Sequence, residues 1–432
     1  MGSIVLVSSA KSQSVRANAD VKTTSKSLAK SSQSSSEKFI FKILNSTASR
    51  IPAVIQVPNP VASSSEVDEK VEVVPPAASS NPVQAEVKKE EAPSKIAVQP
   101  KETPAVVAKS KPTPPSYSAP FQWGITMRPN AVGNYNATNW QTQINKAKEL
   151  KVGWSRVNWE QGGDNPESRN KEVIDALVRS GLEIILVIEH NPALGTDNMY
   201  RDGLNDGKKI ATQYKGKIHY YQLANEGGAE AIKDPTAAGL QPSEFDDLRY
   251  AKIKDYIKGL SEGISSVEAS AVKIVTVSST HTGFIERLVS DKVNFDMLGV
   301  DWYDWMGSFQ DKKVGNDETY FERLKSFGKP LTFMEVNILP EATDAAGKQK
   351  TIVDEDKQAN YISQMAKFAW TNRDWFKGFY VLELVDNINV STDWVDYYGL
   401  IKADRLPNGV GVLKESRKSF NVFREIITNP NK

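Results

Sequence analysis

Residues 171–190 read KEVIDALVRSGLEIILVIEH, and the change of pattern at Gly181 decides the fold. Up to Ser180 the apolar residues fall three and four apart, the spacing of one face of a helix. From Leu182 they run almost unbroken to Ile188, as in a parallel strand covered on both sides. The glycine between them marks the turn. This alternation extends outward in both directions. Strand candidates are FQWGITM from Phe121, WSRVNW from Trp154, LEIILVIEH from Leu182, IHYYQLANE from Ile218, VKIVTVSS from Val272, FDMLGVDWY from Phe295, PLTFMEVN from Pro330 and GFYVLELVD from Gly378. Amphipathic segments such as NWQTQINKAKEL and DKQANYISQMAKFAW separate them. Eight strand–helix pairs over roughly 310 residues predict an α/β fold, a (β/α)8 TIM barrel. A doubly wound open sheet would give a similar string, but no GxGxxG follows the first strand.

The chain ahead of Phe121 is of another kind. It holds 13 of the 22 prolines, one of the 26 glycines and none of the nine tryptophans, so it lacks the apolar surface to offset chain entropy. A disordered leader and linker over 1–117 and a folded (β/α)8 domain over 118–432 are therefore expected. Residues 1–50 carry 14 serines with eight basic and two acidic side chains. That composition overlaps an organelle transit peptide and equally a plain disordered tail, and no clear secretory signal is present. The linker ends in KSKPTPPSYSAP, a spacer of extended polyproline type.

Composition also excludes several function classes. With no cysteine there is no disulfide scaffold, thiol nucleophile or cysteine-ligated metal. The three histidines, His190, His219 and His281, have neither HxH nor HExxH spacing, which argues against a metal-dependent hydrolase. From Tyr117 onward there are 39 basic and 43 acidic side chains, so no nucleic-acid footprint exists. No apolar run reaches transmembrane length.

Unusual residues gather at two strand ends, the place where barrels keep their functional groups. Strand four closes with Leu223, Ala224, Asn225, Glu226, Gly227, Gly228, and strand seven with Phe333, Met334, Glu335, Val336, Asn337. Glutamate is seldom buried without a partner, and a rim salt bridge explains one such residue more easily than two at matching positions.

Here the sequence resembles the catalytic barrels of glycoside hydrolase clan A, which includes families 5 and 39, over essentially all of Phe121 to Ile427. Asn225-Glu226 resembles the clan's Asn-Glu ending strand four, and Glu335 in TFMEVN its strand-seven nucleophile. Arg156 is placed like the arginine that supports that nucleophile, and Tyr303 in DWY like the strand-six tyrosine. The resemblance implies double-displacement hydrolysis of β-glycosidic bonds, with Glu226 as acid/base, Glu335 as nucleophile and Asn225 on the sugar 2-hydroxyl. It departs from the family pattern where family 5 has His-x-Tyr and this chain has Asp301, Trp302, Tyr303. It departs again where the clan has a strand-eight tryptophan and this chain has Leu382.

Around that pair, Trp123, Trp159, Trp302 and Trp305 fall at strand ends and are candidates for stacking on sugar faces. His190 and His281 are candidates for sugar hydroxyls, or else satisfied structural groups. Glu383 and Asp386 on strand eight are expected to form rim ion pairs with Lys402 or Arg405. The reading is a retaining β-glycosidase acting on a polysaccharide or oligosaccharide, without cofactor or metal, monomeric, and extracellular or in the cell envelope. Two other readings are a tethered glycan-binding barrel that has lost turnover and an unrelated barrel lyase or isomerase.

Overall fold

The structure is a computed structural model. It describes residues 112–128, 137–159, 166–189, 198–315, 318–338, 353–386, 397–405 and 411–431. Most of the predicted leader, and His190, lie outside the described residues.

Eight strands form one closed parallel barrel: β1 (Gln122–Met127), β2 (Trp154–Asn158), β3 (Glu183–Ile188), β4 (Tyr220–Leu223), β5 (Val272–Ser278), β6 (Met297–Tyr303), β7 (Leu331–Asn337) and β8 (Phe376–Val381). Each strand is hydrogen-bonded to its sequence neighbours, and β8 closes on β1 through pairs such as Gln122–Gly378. Helices follow each strand on the outside, among them Pro166–Arg179 and Glu355–Thr371, whose start is capped by Asp354 accepting from the Lys357 amide. Among the described residues no helix is long and apolar enough to cross a membrane.

The inward faces change character along the strands. At the bottom Ile185, Ile274, Met297, Met334 and Tyr380 form a small apolar cluster inside the barrel. Two residues further on, β4 offers Gln222, β5 Thr276, β2 Arg156 and, after Gly299, β6 Asp301, all buried. The bottom is closed by Tyr117, one residue before the expected domain start. Its hydroxyl lies 2.9 Å from that of Tyr220 and accepts from Gln122 Nε2 at 3.1 Å. Tyr380 donates to Gln122 Oε1 at 3.0 Å, completing the chain.

β7 departs from regular pairing. Phe333 is opposite Val300, but the next partner of Asp301 is Glu335, so Met334 is an extra residue. The same irregularity is present against β8. Strict alternation would send Glu335 outward with Phe333, which stacks on Phe376 in the helix layer. The bulge lets Met334 and Glu335 both reach the interior.

Outside the barrel, helices Met199–Tyr214 and Asp247–Val267 cross at backbone contact. A Cβ added at Gly203 would lie 2.2 Å from the Tyr256 carbonyl, and one at Gly259 2.0 Å from the Tyr200 carbonyl. Such a clash forces the helices apart. Gly259→Ala should therefore lower stability by about 1–3 kcal/mol, read as an earlier midpoint in urea with unchanged slope.

Candidate active site

The end of β4 is shaped by two left-handed residues. Ala224 has φ 65° and Glu226 φ 48°, so the chain turns sharply on either side of Asn225 and enters the short helix Gly227–Ala231. The Glu226 amide donates to Thr276 Oγ1 of β5 at 3.0 Å, which fixes the turn against the neighbouring strand. Gly227 and Gly228 are needed for space, since a Cβ at either would come within 3.0 Å of Phe284 or His281.

Across the barrel, Glu335 is held at both oxygens. Arg156 Nη1 pairs with Oε1 at 2.8 Å, and the Tyr303 hydroxyl donates to Oε2 at 2.5 Å. Arg156 also donates from Nε to Gln222 Oε1 at 2.8 Å and from Nη2 to Asn225 Oδ1 at 2.9 Å. Gln222 Nε2 donates to the same Asn225 oxygen at 2.8 Å. With its oxygen taken by two donors, Asn225 has, among the described residues, its amide N–H groups left to offer a ligand.

Carboxyl oxygens of Glu226, Asp301 and Glu335 lie within 4.8 Å of one another. The two glutamates differ in surroundings. Glu335 has a guanidinium and a phenol, whereas burial, followed by the charge of Glu335, pushes the Glu226 carboxyl up to about 7. Asp301 is held well above the usual carboxylate range by burial and then by the charges of Glu335 and Glu226. Three carboxyls this close are within reach of a cation, but Arg156 and Tyr303 already occupy both Glu335 oxygens.

Arg156, Asn225, Glu226, Tyr303 and Glu335 are thus brought together. Trp305 stands beside them, its ring parallel to Tyr303 at 6.3 Å between centroids. Trp302 does not join them, which corrects the expectation that it lines the cleft. Asp301 and Tyr303 face inward, so the pleat turns Trp302 into the helix layer, fully buried against Tyr320 at 5.0 Å and donating from Nε1 to the Gly307 carbonyl. Trp159 is also buried in the main core, with Lys209 of helix Met199–Tyr214 over its ring at 6.0 Å. Trp123 packs outward on Trp370 and Phe423.

His281 is buried with Nε2 3.0 Å from the Pro235 carbonyl, and burial lowers its pKa to about 4, so it is a neutral structural group. The strand-eight carboxylates do form ion pairs, but with other partners. Glu383 pairs with Arg128 at 3.0 Å, and Asp386 makes a buried two-point contact with Arg417, while Lys402 pairs with Glu355 and Glu415. Gln222 was not foreseen. Neither was Glu189, which accepts from Asn158 Nδ2 at 2.9 Å and is pushed up chiefly by burial. Its signal was present in the sequence, because it ends an apolar strand as Glu226 does.

The fold is a TIM barrel, and this polar network lies at the C-terminal ends of its strands, where barrels of this kind carry their functional groups. A β-glucosidase from Thermotoga maritima in complex with azafagomine superposes with a TM-score of 0.51 at 11% identity, covering 72% of this chain and 98% of that chain. The deoxynojirimycin complex gives the same figures. A family 1 β-glucosidase from the same organism gives a TM-score of 0.50 at 10% identity, covering 72% and 97%. At this identity the likeness establishes the fold. No family model and no curated protein matches the chain.

Proposed function

We propose that the chain is a retaining β-glycosidase of the clan A kind, cleaving by double displacement. The observation that carries this reading is the pair Glu226 and Glu335, with oxygens within 4.8 Å, Glu335 bonded to Arg156 and Tyr303 and Glu226 raised by burial and by the charge of Glu335. Retaining glycosidases hold their two carboxyls about 5–5.5 Å apart, too close for a water between nucleophile and sugar. Glu226 enters protonated and gives its proton to the departing oxygen while Glu335 attacks the anomeric carbon. Water then attacks that carbon, its proton passes to Glu226, and Glu335 leaves as a carboxylate. Arg156 and Tyr303 hold Glu335 for attack, Asn225 donates to the sugar 2-hydroxyl, and the Trp305 ring offers a face for stacking. The similar β-glucosidases add weight to a β-glycoside as substrate.

Proton NMR of a fresh hydrolysate tests the reading: the β-anomer should appear first, and an α-anomer first would rule out the covalent intermediate. Glu226 serves only while protonated, so kcat/KM should fall as pH rises past about 7, and Glu226→Gln should remove that limb. The same shift carries a stability sign. The folded state binds the Glu226 proton more tightly than the unfolded chain does, so stability should fall as pH rises from the ordinary carboxyl range through about 7.

One observation favours a second reading. Leu382, where an aromatic platform is expected, is buried, and its carbonyl accepts from Asn337 Nδ2. A glycan-binding barrel without turnover fits that feature. Binding without hydrolysis across a panel of aryl β-glycosides and polysaccharides would select it.

A further inference from the structure

Asp301 occupies a place that a two-carboxyl mechanism leaves unused. It lies on β6 two residues before Tyr303, is completely buried, and among the described residues has no hydrogen-bond partner at either oxygen. Its carboxyl is nevertheless within 4.8 Å of those of Glu226 and Glu335. The charged and titratable groups around it are Glu226 from the end of β4, Glu335 from β7, Arg156 from β2 and the Tyr320 phenol from the helix after β6. Arg156 is committed to Glu335 by its 2.8 Å pair. A single guanidinium among three carboxyls neutralises one, and the other two avoid a buried uncompensated charge by keeping their protons. A neutral carboxylic acid differs from an ionised one in having an O–H to donate.

We propose that Asp301 is a positioning residue for Glu226, staying protonated through the catalytic cycle and donating its O–H to the Glu226 carboxylate once that group has released its proton. This rests on the glycosidase reading. In the first step the glycosidic C–O bond breaks, a bond to Glu335 forms, and the proton of Glu226 leaves with the departing oxygen. Glu226 is then an anion beside the Ser278 hydroxyl, and the O–H of Asp301, on a carboxyl within 4.8 Å, adds a second donor to stabilise it. In the second step the water proton returns to Glu226, the water oxygen bonds to the anomeric carbon, and Glu335 is released. Asp301 ends as it began.

The test compares the full chain with Asp301→Leu and Asp301→Asn on aryl β-glycosides with good and poor leaving groups. Leucine removes the donor, so kcat/KM on poor leaving groups should drop about 100-fold and the alkaline limb should move up by roughly one pH unit. Asparagine supplies an amide N–H in the same place and should rescue most of both changes. A limb that moves down in both variants would mean that Asp301 is ionised in the native enzyme, and unaltered kinetics in Asp301→Leu would mean that it only fills space. Either overturns the proposal. Carboxyl carbon NMR of the native protein gives a readout independent of turnover: the Asp301 resonance should be that of a carboxylic acid at neutral pH, and a carboxylate resonance defeats the proposal even if variants misfold. Absence of turnover by the native chain on every glycoside would instead defeat the glycosidase reading, and the NMR titration would still decide the state of Asp301.

Discussion

Glu335→Ala should abolish turnover of every substrate, by on the order of 10⁴-fold or more, because the carboxylate proposed to attack the anomeric carbon is gone. Glu226→Ala should behave differently. A leaving group that needs no proton makes the first step independent of Glu226, so activated aryl glycosides should still form the glycosyl-enzyme. Substrates with poor leaving groups should lose about 10²–10⁴-fold. The Glu226 variant then stalls for want of a base, and azide should restore turnover, since a small anion attacks without deprotonation and fits the space left by the side chain. The product should be a β-glycosyl azide, detectable by mass and by anomeric coupling. Equal losses on activated and poor substrates would reverse or void the roles given to these residues.

Arg156→Ala should damage both fold and activity. Arg156 and Glu335 are both nearly excluded from solvent, and the guanidinium also satisfies the side-chain oxygens of Gln222 and Asn225. Its removal leaves a buried carboxylate without its cation, Gln222 Oε1 without its Arg156 donor and Asn225 Oδ1 with Gln222 Nε2 alone, a loss of about 3–5 kcal/mol where buried pairs have been broken from one side. At roughly 2–4 °C per kcal/mol the melting temperature should fall on the order of 10 °C. The double variant Arg156→Ala with Glu335→Gln separates the causes. If the unpaired charge is the main cost, the second substitution should recover part of the lost stability. A melting temperature that falls further would show that packing around the guanidinium dominates.

The strands were legible because each is an apolar run bounded by turns, and their positions come within two residues of the expected ones at most ends. β8 is an instructive exception: GFYVLELVD reads as a strand to Asp386, yet pairing stops at Val381. Beyond it regular pairing gives way to single bonds: Leu384 still donates to the Thr126 carbonyl of β1, but the Asp386 amide donates to the Ile401 carbonyl and its side chain ties to Arg417. Those partners are remote in sequence and leave no local pattern. The site shows the same division. Asn225, Glu226 and Arg156 could be put on their strands from the apolar runs that carry them, and their candidate roles came from the resemblance to clan A. Glu335 reaches the interior through a bulge at Met334 that alternation does not announce. Trp302 went wrong against information that was present, because placing Tyr303 in the site already committed its neighbour to the other face.

The left-handed backbone at Ala224 and Glu226 also bears on how this protein responds to selection for heat resistance. A residue with a Cβ held at φ 65° or φ 48° costs about 1–2 kcal/mol that glycine does not incur. Glu226 adds the burden of a carboxyl kept from water. Glu226→Gly should therefore melt above the native protein while losing acid catalysis, a difference that calorimetry on the two purified proteins would reveal. A screen rewarding only thermal survival would be drawn to this position and would return well-folded barrels without their proton donor. Thermostabilised descendants worth keeping will be those selected with a substrate in the assay, or with Ala224→Gly alone, which relaxes the turn and leaves the acid in place.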